Sequence, residues 1–138
     1  MSRYPCSPYD KTGGIVYFAR MLDKIRLHAA GELSAAYTEN LGVAFDARCA
    51  SFFGVSYPAL VEVVKAGASD GAALAWCFEH GRKPSEEEIE VWSEFMRKRG
   101  WNDEASERLA FRIAEAGFGD RTDILTMFDF IDADEGRR

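Results

Sequence analysis

Ala19-Arg20-Met21-Leu22-Asp23-Lys24-Ile25-Arg26 sets four charged side chains into an otherwise apolar segment. Ile15, Phe18, Ala19, Leu22, Ile25 and Ala29 recur at helical spacing through it, which predicts a helix over 13–30 closed by Gly31. Val16, Tyr17, Met21 and Leu27 cover much of the remaining surface, so this first helix is expected to be central, with neighbours on several faces. Charges in such a helix must be paired or must face a site.

With Ile15 as origin and about 100° per residue, Arg26 falls inside the apolar face and Asp23 at its edge, while Arg20 and Lys24 lie on the far side. The spacing makes Asp23 and Arg26 neighbours. They are expected to form a buried ion pair, completed by a carboxylate of the acidic tail: Asp132, Asp134 or Glu135. Breaking one member of such a pair costs roughly 3–5 kcal/mol, so Asp23→Ala is expected to lower the melting temperature by many degrees. The alternative is a pocket in which Arg20, Asp23, Lys24 and Arg26 hold a small anionic molecule. There Arg would grip a carboxylate or phosphate bidentately, Lys would add a point charge and Asp would orient them. Asp46, Arg48 and Cys49 are further candidates. A thiol beside Arg48 would have a lowered pKa, although a Cys between Phe45 and Phe52-Phe53 reads more simply as a small packed hydrophobe.

Outward from this helix, residues 1–12 carry Pro5 and Pro8 and read as an extended N-terminal arm, with 13–138 as one helical domain. Residues 32–45 read as a long connection with a helical turn near Leu33–Tyr37. Asp46 is expected to cap a short helix through Phe53, and Ser56, with Pro58 in the first turn, the next. Ser69 or Asp70 starts another, ending at Gly81. Ser85-Glu86-Glu87-Glu88 is a capping box opening a helix whose stripe is Ile89, Trp92 and Met96. Asn102 or Asp103 caps a sixth helix, and Thr122 or Asp120 a last one carrying Ile124, Met127, Phe128 and Ile131. No alternating run of useful length appears. The expected fold is all-α: six or seven short helices in a single compact domain around the central first helix.

A chain of 138 residues, 47% hydrophobic and with ten Phe, can bury an ordinary core. Its net charge of −6 disfavours nucleic acid. Three dispersed cysteines without a C-x-x-C, no apolar signal core and no bilayer-length apolar run predict a cytoplasmic protein without disulfides or membrane contact. His28 and His80 belong to no metal-binding spacing, so neither a metal nor another cofactor is expected. No acid–base pair or nucleophile arrangement is visible, and no catalytic residue is assigned.

Ser7-Pro8-Tyr9-Asp10-Lys11 with Gly13-Gly14, the Arg20-x-x-Asp23-Lys24-x-Arg26-x-His28 helix and Phe45-Asp46-Ala47-Arg48-Cys49 together resemble one bacterial family, domain of unknown function 5069. So do Gly81-Arg82-Lys83-Pro84-Ser85, the segment Trp92–Trp101 and the closing Phe128–Arg137. The resemblance implies a free-standing small bacterial cytoplasmic protein and carries no activity or site residue. The leading functional expectation is a non-catalytic module that binds another protein or itself as a homo-oligomer, because Trp101, Phe111, Phe130 and Tyr37 fall off their helices' stripes or in loops. The second is a binder, or enzyme, for a small anion at the charged helix.

Overall fold

Gly13-Gly14, expected at a helix start, instead turns a hairpin in the computed structural model, which describes residues 3–138. Both glycines have positive φ, 58° and 81°, the backbone a tight two-residue hairpin turn demands. The turn joins β1 (Lys11–Thr12) to β2 (Ile15–Val16), with Lys11 opposite Val16 and Thr12 opposite Ile15. The first helix, α1 (Phe18–Ala29), therefore begins five residues later than its periodicity predicts. Ile15 and Val16 belong to a buried strand, so an apolar run that reads as helix from sequence is divided by turn chemistry.

Seven more helices follow: α2 (Ala35–Thr38), α3 (Phe45–Phe53), α4 (Tyr57–Lys65), α5 (Asp70–His80), α6 (Glu86–Lys98), α7 (Ser106–Glu115) and α8 (Met127–Asp134). The fold is all-α apart from the hairpin, with eight helices among the described residues. None of them is long and apolar enough to cross a membrane. Several boundaries follow the expected caps. Ser56 accepts from the Ala59 N–H, Ser69 from the Ala72 N–H, and Ser85 with Glu88 closes the capping box. The last helix is capped by Thr126 rather than Thr122 or Asp120, leaving Ile124 outside it. Asp46 caps nothing; it lies inside the first turn of α3, and its carboxylate turns inward.

The core forms around α1. Phe18, Met21, Leu22 and Ile25 pack with Phe53 of α3, Leu60 and Val64 of α4, Leu74 and Cys77 of α5, Met96 of α6 and Phe128 of α8. Leu109, Ile124 and Ala133 form a smaller cluster that seats α7 on α8. The N-terminal segment is tied down: Pro5 and Pro8 are buried, Tyr17 donates its N–H to the Pro8 carbonyl, and the Tyr9 hydroxyl reaches Asp129 and Thr126.

Gly81 sets the angle between α5 and α6. A Cβ there would lie 2.0 Å from the Phe53 carbonyl oxygen and 2.8 Å from Val55 Cγ1, and the adjoining Arg82 N–H is donated to that same carbonyl. Gly81→Ala is predicted to cost roughly 3 kcal/mol through the clash, read as a lowered urea midpoint with unchanged denaturant slope.

Candidate functional site

Arg20 and Lys24 stand one turn apart on α1, and each is only 5% exposed. The acids that neutralise them come from distant segments. The Lys24 ammonium lies 3.0 and 3.1 Å from the two Asp46 oxygens and 3.3 Å from the Tyr17 hydroxyl. Asp46, 0% exposed, also accepts from the Tyr17 hydroxyl at 2.7 Å and the Gly42 N–H at 3.0 Å. Arg20 forms a two-pronged pair with Glu135 at 2.8 and 2.7 Å and donates to the Cys6 carbonyl. The Tyr37 hydroxyl, at 2.7 Å, and the Arg137 guanidinium also donate to Glu135.

Two strained residues hold this arrangement. Tyr17, just before α1, has φ 71°, and Ala44, just before α3, has φ 53°. Neither is glycine, so each costs roughly 1–3 kcal/mol. The left-handed turn at Tyr17 sends its ring against Phe45 and Phe128 and its hydroxyl onto Asp46. The turn at Ala44 lets the chain swing from Gly42 into α3, so that Asp46 can receive the Gly42 N–H.

Above these pairs lies a cleft of about 310 Å³, at the lower edge of the roughly 300–1,000 Å³ usual for small-molecule pockets. Arg20, Lys24 and Tyr17 form its floor. Tyr37 and Asn40 make one wall, and Phe130 and Ile131 of α8 the other. Arg108 and Arg112, one turn apart on α7, stand at the rim. Arg112 meets Glu115 at 3.8 Å, and Asp134 lines the same cleft. Among the described residues no acid comes within ion-pairing distance of Arg108. Leu109 of α7 is buried, and at about 100° per residue the two arginines flank it on one side, so they stand at the border of the apolar stripe beside the cleft.

The sequence-derived candidates divide between several surfaces. Arg20 and Lys24 line the cleft and Asp46 lies beneath it. Asp23 and Arg26 do not join them. They pair at 3.2 Å with side chains 35% exposed; Arg26 also meets Asp70 at 2.8 Å, and Asp23 accepts from the Cys6 N–H. The expectation that Arg26 is the buried guanidinium is thus corrected: that place belongs to Arg20. The physical reason is that α1 is covered on both sides, and the covering acids lie 22 and 115 positions away, beyond what a helical wheel registers. A tail carboxylate does neutralise the helix, but Glu135 does so at Arg20. Arg48 is exposed and sits over the Phe95 ring, 5.3 Å from its centre. Cys49 is fully buried; burial, with the Asp46 charge added, pushes its thiol well above the ordinary range, so it packs and does not react. Tyr37 and Phe130, expected to seek a protein partner, are cleft walls. Arg108 and Arg112 were not among the candidates. Their signal is an i, i+4 pair of like charges at the border of the apolar stripe of a strongly amphipathic helix, an arrangement that is mildly unfavourable on its own.

A family model described as domain of unknown function 5069 matches residues 2–137, nearly the whole chain. The protein belongs to this family. The resemblance read from its motifs is borne out. No curated protein matches the chain. The buried pairs of this family member join segments far apart in sequence: the N-terminal segment, α1, the turn before α3 and the C-terminal residues.

Burial sets the protonation of these groups. It lowers the Lys24 ammonium, with Asp46 working the other way. It raises the Tyr17 hydroxyl well above its ordinary range, aided by the Asp46 charge. It also pushes the Glu135 carboxyl up, but the Arg20 fork, Tyr37 and Arg137 outweigh it and hold Glu135 below the usual glutamate range. The folded state therefore releases this proton more readily than the unfolded chain. The stabilisation is complete above the ordinary glutamate pKa of 4.5 and is lost as pH falls through the lower folded value. Thermal melts are predicted to show Glu135→Gln less stable than the parent at neutral pH, with a shallower loss on acidification.

Proposed function

We propose that the cleft between α1, α2, α7 and α8 binds a small organic anion with an apolar body, such as an aromatic carboxylate or phosphate monoester. One observation carries this reading: Arg108 and Arg112 share a rim beside an aromatic wall, and Arg108 has no acid within ion-pairing range among the described residues. Two like charges one turn apart repel each other, and a bound anion removes that repulsion. Tyr37, Phe130 and Ile131 supply the apolar surface for the ligand's body. Strain at Tyr17 and Ala44, both of which line the cleft, is of the kind that collects at ligand sites.

The chemistry of the floor favours holding a ligand over transforming one. The three N–H donors of Lys24 are engaged by Asp46 and Tyr17. The residues lining the cleft include no His, Cys or Ser to serve as nucleophile, and their one carboxylate is Asp134 of α8. Arg20 is committed to Glu135 through both terminal nitrogens and Lys24 to Asp46, so the floor is charge-balanced and the rim arginines grip the anion.

Titration of the 15N-labelled chain with phenyl phosphate tests this. Saturable amide shifts are expected on α2, residues 40–45, α7 and α8, and inorganic phosphate, lacking the ring, should bind more weakly. Arg108→Ser with Arg112→Ser should weaken phenyl phosphate about tenfold or more, the loss of one charged hydrogen bond or two. Shifts that scatter over other surfaces, or an affinity that the double variant leaves unchanged, would refute the reading.

A further inference from the structure

The outer face of α6 carries Val91, 65% exposed, and Phe95, 42% exposed, one turn apart. Beside them Phe52 and Trp92 stack with ring centres 4.6 Å apart. Together these side chains line an open groove of about 440 Å³ on the side of the molecule formed by α3 and α6, and it shares no lining residue with the anion cleft.

Charge is distributed unevenly along this groove. Its first end, at the start of α6, holds Glu87 and Glu88. Its other end holds Arg48 and Arg99, whose guanidiniums lie 5.3 and 5.7 Å from the centre of the Phe95 ring. Most charges nearby are neutralised within the chain: Glu88 by Arg82, Glu94 by Lys98 and Arg97, and Arg99 by Asp103. Glu87 and Arg48 have no opposite charge within ion-pairing distance among the described residues, and on the flanks of α6 the same holds for Glu86 and Glu90. Glu87 lies two turns before Phe95, about 12 Å along the helix at 1.5 Å per residue.

A patch with an apolar centre, an unpaired acid at one end and an unpaired cation at the other is complementary to its own copy turned end for end. We propose that two copies of this chain associate through α6 packed antiparallel on α6 of the other copy. A two-fold axis passing between Val91 and Phe95 sets Val91 of one copy against Phe95 of the next and Glu87 against the Arg48–Arg99 end, twice over. This is the isologous geometry of a two-fold dimer. The antiparallel arrangement also opposes the helix dipoles and aligns the acidic first turn of each α6 with the basic last turn of the other. It gives a place to Arg48, which the cleft does not use. The leading expectation from sequence, self-association, is thereby assigned to a surface other than the Trp101, Phe111, Phe130 and Tyr37 on which it first rested.

Sedimentation velocity over a concentration series tests the proposal. The parent chain should form a dimer, and Val91→Asp should be monomeric with unchanged helical circular dichroism. Arg48→Glu and Glu87→Arg should each weaken the dimer about tenfold, since each charge is met twice. The double variant carrying both substitutions should regain most of that loss, because the swapped charges again oppose each other. A parent chain that stays monomeric at millimolar concentration, a dimer that Val91→Asp leaves intact, or a double variant no tighter than the singles would overturn it.

Discussion

Lys24 and Asp46 meet almost wholly out of solvent, Asp46 fully buried beneath the floor of the cleft, and the surrounding structure is arranged around their contact. An ammonium and a carboxylate each lose several kcal/mol of hydration on burial, and their attraction offsets this only when the geometry is close and the remaining lone pairs are filled. Tyr17 and Gly42 fill them. To do so, Tyr17 adopts a left-handed backbone before α1, and Gly42 sits in the turn leading to α3. Arg20 imposes a parallel demand one turn earlier, met by Glu135 and the Cys6 carbonyl. Two cations on one helix thus recruit the N-terminal segment, the 39–44 turn and the C-terminal residues. Pairs of this kind add little net stability, but a misplaced segment would leave a buried charge alone, so they select one arrangement over its competitors.

The same requirement shapes the cleft. Its floor is polar but already paired, so it offers rigidity rather than free donors. Free donors remain on α7, which rests on α8 through a small cluster separate from the main core. The division of labour is physical: buried groups serve the fold, and the exposed arginines are left for the anion we propose. A helix held by a satellite cluster is also among the elements best able to adjust to a ligand without opening the main core.

What the sequence disclosed was local. Serines at 56, 69 and 85 announced helix starts because an N-cap needs only the next turn. The all-α class followed from apolar periodicity, and the importance of the first helix from charges in an apolar context. What stayed hidden was long-range or turned on a single backbone choice. Gly13-Gly14 suits a hairpin turn as well as a helix start, and two-residue strands leave no periodicity to read. Arg26 was preferred to Arg20 because Asp23 is near in sequence, whereas Glu135 is 115 positions away. The rim arginines give no signal in the buried stripe of α7, which they flank. The capping box of α6 is legible in sequence, while the placement of Arg48 above Phe95 is long-range and is not.

The most direct measurement is a double-mutant cycle on the central pair, with Lys24→Met, Asp46→Leu and the combined variant unfolded in urea. Each single change strands a buried charge and should cost roughly 3–5 kcal/mol, and the combined variant should lose markedly less than the sum. Additive losses, or single variants within about 0.5 kcal/mol of the parent as surface substitutions usually are, would contradict the account.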